Sequence, residues 1–300
     1  MQICLALYIK PVYAKVHGAR WQTMTEREEP HPDPSDGLLA MPVGEWAKEK
    51  HALLKLYIEI ARGVRGKFVA KGKAGATFID LYSGSGRAYL KGTETFIDGS
   101  PLVGWRASVD CKVPFTGVHI NDNDARLLDA AYSRLKKIGA PVSKYGGEAI
   151  SVAAKLAAEL NPHALHFALL DPFNLVLPIE VIRSLSQLKR IDLLIHVSAM
   201  DLQRNWGRYT QQKHSPLDEF APGWRESVDL AQPEESARLS FIQYWVDLLK
   251  ELGFDADVRF ELITGSKNQP LYWLVLVAKH EIAMKFWKTA AQHGKTQQMF

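Results

Sequence analysis

The stretch that most constrains this chain is Ala76 to Arg87, Ala-Thr-Phe-Ile-Asp-Leu-Tyr-Ser-Gly-Ser-Gly-Arg, which reads as a buried strand, a glycine-turned loop and then a helix. Thr77, Phe78, Ile79 and Leu81 supply β-branched and apolar side chains. Gly84 and Gly86 permit φ > 0 without a Cβ clash and let backbone come within contact distance of a ligand, and the expected helix N-terminus behind them presents free N–H groups. That is the logic of a nucleotide-cofactor site. Asp80, at the strand end, is placed to orient the loop or to face a cationic ligand.

Two cofactor readings compete at this loop. A dinucleotide fingerprint wants G-x-G-x-x-G, and Tyr89 stands where the third glycine would let helix pack on strand, which weighs against a nicotinamide cofactor. The run Asp80-Leu81-Tyr82-Ser83-Gly84-Ser85-Gly86 instead resembles motif I of class I S-adenosylmethionine-dependent methyltransferases. Its nearest form is the D-L-F-A-G-S-G variant of several nucleic-acid methyltransferases, with Tyr82 in place of the commoner first glycine. The resemblance implies S-adenosylmethionine as cofactor, held by Asp80, Tyr82, Gly84 and Gly86.

Composition sets wide bounds. Three hundred residues, 47% of them hydrophobic, can bury a sizeable core, and a net charge of +4 permits a nucleic-acid partner without demanding one. Cys4 and Cys111 are too few for a disulfide framework, a cysteine zinc site or an iron–sulfur cluster on this chain alone. No metal-ligand pattern such as H-E-x-x-H appears. No apolar run approaches the ~20 residues that span a bilayer. These features predict a cytoplasmic protein with no membrane contact and no metal.

Residues 1–42 contain a short apolar start and then a charged, proline-rich stretch. They read as a mobile arm, or as sequence ahead of an internal start at Met24 or Met41. From Gly44, Trp46, Leu53, Leu54, Tyr57, Ile60 and Ala61 recur at helical spacing. Arg62, Arg65, Lys67, Lys71 and Lys73 then form a cationic run suited either to a phosphate backbone or to the helix C-terminus.

Beyond the glycine loop, strands expected at 115–120, 141–145, 163–170 and 191–197 alternate with helices at 125–138, 150–160 and 181–188. Alternation of this kind means a parallel sheet whose ligands sit beyond the strands' carboxyl ends. Asp122, at the end of the second strand, suits the two hydroxyls of a ribose, and equally suits capping of the next helix. Glu148, after the third strand, can accept from an adenine amino group or serve as a helix N-terminal acid.

Asp171, Pro172 and Phe173 end the fourth strand. An acid, a proline and an aromatic ring in this order form the pocket floor in methyltransferases acting on exocyclic amines, where the carboxylate accepts from the amine and the ring stacks on the base. The run is Asp171-Pro172-Phe173-Asn174 rather than D-P-P-Y. It also resembles the D-P-F of a family of transfer-RNA guanine methyltransferases. Residues 201–235 break the alternation, and Arg204, Trp206, Arg208 and Tyr209 interleave cations with rings as a flipped base or single strand requires, or as a protein interface would. A helix at 239–252 and two apolar segments, 256–263 and 271–278, joined by a turn, then predict a closing antiparallel hairpin.

The fold expected is therefore α/β, a seven-stranded, mostly parallel class I methyltransferase sheet with a C-terminal antiparallel hairpin. It forms one domain over residues 43–300 with an N-terminal helix and an inserted loop region at 201–235. In order, Trp46-Ala-Lys-Glu-Lys50-His51, Phe78 to Gly86, Asp98-Gly-Ser-Pro-Leu102, Ile120 to Asp124, Leu170-Asp-Pro-Phe173 and Leu271-Tyr-Trp-Leu together resemble the three-Cys-motif partner family. That resemblance implies a methyltransferase-like fold in a bacterial protein associated with a cysteine-motif, radical-S-adenosylmethionine-like partner. Two functions stand beside each other: methyl transfer to a base nitrogen of a nucleic acid, with Asp171, Pro172 and Phe173 catalytic, or a non-catalytic cofactor-binding partner docking through its aromatic loop.

Overall fold

The computed structural model describes residues 29–175, 177–254, 258–265 and 269–297, with side chains as far as residue 292. The chain forms β1 (His31–Pro32), β2 (Leu39–Val43), α1 (Ala47–Ile60), α2 (Arg62–Val69), β3 (Ala76–Asp80), β4 (Arg87–Leu90), β5 (Phe96–Asp98), α3 (Ser100–Asp110) and β6 (Gly117–Asp122). There follow α4 (Ala125–Lys137), β7 (Val142–Gly146), α5 (Ala149–Glu159), β8 (Leu165–Leu170), α6 (Ile179–Leu185), β9 (Ile191–Val197) and α7 (Ala199–Gln211). The remainder is α8 (Pro216–Phe220), α9 (Trp224–Ser227), α10 (Glu234–Glu251), β10 (Arg259–Thr264), β11 (Pro270–Ala278) and α11 (Glu281–Gln297).

The main sheet runs β10-β11-β9-β8-β3-β6-β7. Pairs from β9 through β7 are parallel, and β11 lies antiparallel between β9 and β10. This is the class I methyltransferase sheet with its closing hairpin. Of the segment expected at 256–263 and its turn, 256–257 and 266–268 lie outside the described residues. β3 is buried at every position because neighbours pair on both edges and helices cover both faces. One face packs Ile79 and Val275 against Ile182, Trp206 and Phe241 from α6, α7 and α10, and the other packs Phe78 and Leu274 against Leu54, Leu102 and Trp287 from α1, α3 and α11. Successive strands step outward from β3 to β7 and then return to β8 on its other side, so the chain reverses direction across the sheet between β3 and β8. The crevice beyond the carboxyl ends lies at that reversal.

Three expectations need correction. The glycine loop leads into a strand, β4, and the helix waits until Ser100. β4 pairs parallel with β2 and antiparallel with β5 in a four-stranded side sheet, β1-β2-β4-β5. Arg87 fixes that sheet by reaching Asp33 at 2.9 Å and Asp98 at 3.0 Å. Second, the expected mobile arm is folded from residue 29 onward, and its first 28 residues lie outside those described. Asp33 is buried and accepts from Ser35, Gly37 turns the chain with a backbone bond to Asp33, and β2 follows. Third, much of residues 201–235 is helical, in α7, α8 and α9 with short links between, and α7 forms because Leu202, Trp206 and Tyr209 repeat at helical spacing along its inner side. The cationic run after α1 is also not all surface: Arg65 is buried and donates to the carbonyls of Ile58 and Val113. Among the described residues, no helix is long and apolar enough to cross a membrane.

Arg134 joins the side sheet to the main body. It occupies the apolar stripe of α4 with Leu127, Leu128, Ala131 and Leu135, and it is almost fully buried. Its guanidinium donates to both oxygens of Asp36 at 2.7 and 2.8 Å, to the carbonyls of Leu38 and Leu39, and to Ser85 O of the glycine loop at 2.7 Å. Removing it takes the guanidinium from Asp36 and from all three carbonyls, leaving Asp36 Oδ1 only Leu38 N and Leu38 O only Asp33 N. Arg134→Met is therefore expected to lower unfolding free energy by about 3 kcal/mol, as breaking one partner of a buried pair does. Urea denaturation followed by circular dichroism measures this, and a loss below about 0.5 kcal/mol, the usual range for surface changes, would show that the strap is not held by this residue.

Candidate functional site

The glycine loop turns through two left-handed residues, Gly84 at φ 54° and Gly86 at φ 75°. A Cβ on Gly86 would lie 2.7 Å from Leu102 Cδ1 and 3.1 Å from Ala131 Cα, so α3 and α4 close on it directly. At Gly84 the nearest atom would be Met41 Cγ at 3.5 Å. The loop is tied to the neighbouring strand: Ser83 N donates to Asn121 O at 2.9 Å and Gly84 N to Asp122 Oδ2 at 2.9 Å. Asn121 spans the gap on the other side by donating to Leu81 O and Gly147 O.

Asp80, Asp122 and Asp171 stand at or just beyond the carboxyl ends of β3, β6 and β8. Asp80 is fully buried; one oxygen accepts from Tyr82 N at 3.3 Å, and among the described residues Oδ2 has no hydrogen-bond partner. Burial pushes its pKa up to about 7, with the nearby Ser100 hydroxyl working against the rise and the nearby Asp171 charge adding to it. Asp122 gives one oxygen to Gly84 N and the other to Asp124 N at 2.9 Å, and Asp124 rather than Asp122 caps α4. Burial raises the Asp122 carboxyl despite those bonds. Each of its oxygens keeps a lone pair after one such bond.

Asp171 is ion-paired with Lys50, which the N-terminal half of α1 brings over the sheet edge. His196 of β9 places Nδ1 3.8 Å from the other Asp171 oxygen. Burial works to raise the Asp171 carboxyl, and the Lys50 ammonium with His196 overrides it, leaving a carboxylate below its ordinary range. His51, next on α1, is driven down to about 3 by burial and the Lys50 charge. Phe173 is 66% exposed and Pro172 buried, so the ring, not the proline, faces outward. Tyr82 is half-buried against the core, and burial raises its hydroxyl. Glu148 is exposed at the start of α5 and accepts from Asn123 Nδ2 at 3.4 Å.

The expected aromatic and cationic surface separates into two sides of one helix. Trp206 is 3% exposed and packs against Trp224 and Phe241, and Tyr209 is buried with its hydroxyl on Asp201. Neither ring can stack on a base or dock a partner, and Trp224 is core as well. Arg204 and Arg208 lie on the exposed side. Lys50, His51, His196, Asp201 and Arg134 are the polar groups at or behind this site that the motifs did not single out for a role. Asp201 accepts from Leu175 N at 3.2 Å and so anchors the loop after Phe173. A polar residue in phase with an apolar stripe was the available signal for Arg134 and Asp201.

No family model matches the sequence, and no curated protein matches it. Solved structures are similar to it at low identity. An O-methyltransferase from Bacillus cereus in complex with SAH is 12% identical, with a TM-score of 0.45 over 77% of this chain and 80% of its own. The O-methyltransferase TomG from Streptomyces achromogenes, in complex with SAM, is 17% identical, with a TM-score of 0.43 over 76% and 79%. An rRNA methylase from Streptococcus thermophilus is 11% identical, with a TM-score of 0.35 over 69% and 89%.

The two loop glycines differ in what a side chain would meet, and their alanine variants should differ accordingly. Gly84→Ala carries only the left-handed backbone cost of about 1 kcal/mol. Gly86→Ala adds the collision with Leu102 and Ala131 and should cost about 2–3 kcal/mol in all. Paired urea titrations decide it: equal losses at the two positions would mean that α3 and α4 do not confine Gly86.

Proposed function

We propose that this chain is an S-adenosylmethionine-dependent methyltransferase acting on a base nitrogen of a nucleic acid, with Asp171, Pro172 and Phe173 lining the acceptor side. The observation that carries this is the buried, unpartnered Asp80 Oδ2 beside a left-handed glycine loop, at the reversal point of the sheet. An orphaned carboxyl oxygen there fits an ammonium group, as on the amino-acid end of the cofactor, and Asp122 and Glu148 would serve its ribose and adenine. Gly84, Gly86 and Tyr82 would form the wall between them. The cofactor supplies an electrophilic methyl group; the protein's part is to hold the acceptor nitrogen in line with it. Support for a base as acceptor comes from the exposed Phe173 ring next to Asp171, with Arg204 and Arg208 on the exposed side of α7 for phosphates. The alternative, a cofactor-binding partner of a cysteine-motif protein without catalysis, loses its docking aromatics to the core.

Two outcomes are expected. Isothermal titration should show saturable binding of S-adenosylmethionine and S-adenosylhomocysteine but not NADH, and Asp171→Asn should retain that binding while transfer of labelled methyl to cellular RNA or DNA falls at least 10²-fold. Full transfer by Asp171→Asn would remove the acceptor assignment.

Cofactor affinity should also depend on Asp80. With a pKa of about 7 this carboxyl is protonated in the free protein at lower pH. An ammonium ligand favours the ionised form, so binding must release a proton there. Affinity should therefore rise about tenfold per pH unit below 7 and level off above it. Titrations at pH 5.5 to 8.5 in two buffers of different ionisation heat measure both effects, and an Asp80→Asn variant with the same pH slope as wild type would exclude Asp80 as their source.

A further inference from the structure

Lys50, His51 and His196 gather about Asp171 on the α1-covered face of the main sheet. Alternation along β9 puts His196 on the side of Leu194, which packs in the core beneath α1. The Tyr272 ring from β11 lies 4.4 Å from His196, and its hydroxyl donates to Trp46 O at 3.0 Å, fixing the start of α1 one turn before Lys50. His196 Nδ1 is buried and has no hydrogen-bond partner among the described residues, while Asp171 stands 3.8 Å away. Asp80 is on the far side of Asp171, close enough for their charges to interact.

Resting on the methyl-transfer reading, we propose that His196 takes the proton that the acceptor nitrogen loses, with Asp171 as a positioning residue and Lys50 donating to the acceptor. The acceptor is then a lactam ring N–H rather than an exocyclic amine. Lys50 holds an ammonium at Asp171 Oδ2, and a cation at that oxygen suits a carbonyl on the acceptor better than a second set of N–H donors. A lactam nitrogen has its lone pair in the amide system, so its N–H must go to a base as the new bond forms. Lys50 has three donors and gives one to Asp171, so it can also donate to the carbonyl oxygen on which lactam charge develops.

The step balances without further reagents. The N–C bond forms as the methyl–sulfur bond breaks, whose electron pair stays on sulfur. The proton passes to His196 Nε2, and the N–H pair becomes the nitrogen lone pair. Nδ1–H, facing Asp171, then has a carboxylate as counter-ion, the arrangement in which an imidazole works as a base. Burial brings His196 to about 4, with Asp171 pulling up and Lys50 pushing down, so the imidazole is neutral at pH 7. Its weak basicity suffices because a nitrogen taking on a methyl group becomes strongly acidic.

The test uses the whole chain with 15N-labelled histidines, and His196→Gln to assign the resonance. Expected in the free protein is a neutral His196 at pH 7 with the proton on Nδ1, its pKa raised in Lys50→Met. Transfer is then measured with labelled S-adenosylmethionine on unmodified RNA and DNA transcripts, the methylated base being identified by mass. His196→Gln should bind S-adenosylhomocysteine within twofold of wild type. Its kcat should fall about 10²–10⁴-fold at pH 7 and recover about tenfold per pH unit up to pH 9 as hydroxide replaces the base. A pH-independent loss, wild-type turnover in His196→Gln, a product methylated on an exocyclic amine, or a proton on Nε2 at pH 7 would each overturn the proposal. If wild type binds the cofactor but methylates neither polymer, the acceptor reading fails first and this one with it; failure confined to His196→Gln leaves methyl transfer standing.

Discussion

Three carboxylates crowd the carboxyl edge of the parallel strands, and the surrounding elements are fixed by how each is compensated. A buried charge costs several kcal/mol unless it is paired and hydrogen-bonded. Asp122 is met by backbone N–H groups of Gly84 and Asp124, which sets the glycine loop against β6. Asp171 is met by Lys50, which sets α1 over the sheet. Asp80 receives an amide from Tyr82 and has the Ser100 hydroxyl nearby, but no direct cation, and burial brings it to about 7. Incomplete compensation at the centre of the row makes Asp80 the group most responsive to a positively charged ligand.

The main sheet was legible because apolar runs bounded by glycine, proline and acids leave few alternatives for a strand buried on two faces. The side sheet was not, and for a reason internal to the chain. Residues 29–43 look disordered by composition, since proline and aspartate are plentiful there. Their order comes from partners far along the sequence, Arg87 for Asp33 and Arg134 for Asp36, which no local window contains. The same distance effect hid β4: a glycine loop after a parallel strand normally opens a helix, but here β2 lies alongside and offers the pairing.

At the site, the acids were readable from strand ends, whereas their counter-groups were not. His196 sits in an apolar strand and Lys50 in an amphipathic helix, and neither position departs from ordinary patterning until α1 is laid over β9. The aromatic and cationic stretch at 204–209 was misread because composition was weighed without phase. Leu202, Trp206 and Tyr209 fall on one side of a 3.6-residue repeat and Arg204 and Arg208 on the other, so a helix places the rings inside and the cations outside.

One of those buried rings, Tyr209, still acts on the acceptor side, through Asp201. Tyr209 and Asn205 donate to this carboxylate, and the carboxylate in turn receives Leu175 N. Asn174, just before, takes the left-handed conformation at φ 61°, which reverses the chain after Phe173 and presents that ring outward. A non-glycine residue in that conformation is held by its surroundings, and here the restraint is the Leu175 anchor on one side and the buried Pro172 on the other. The pose of Phe173 therefore depends on the core of α7: residues that cannot touch an acceptor determine where the ring that faces it stands.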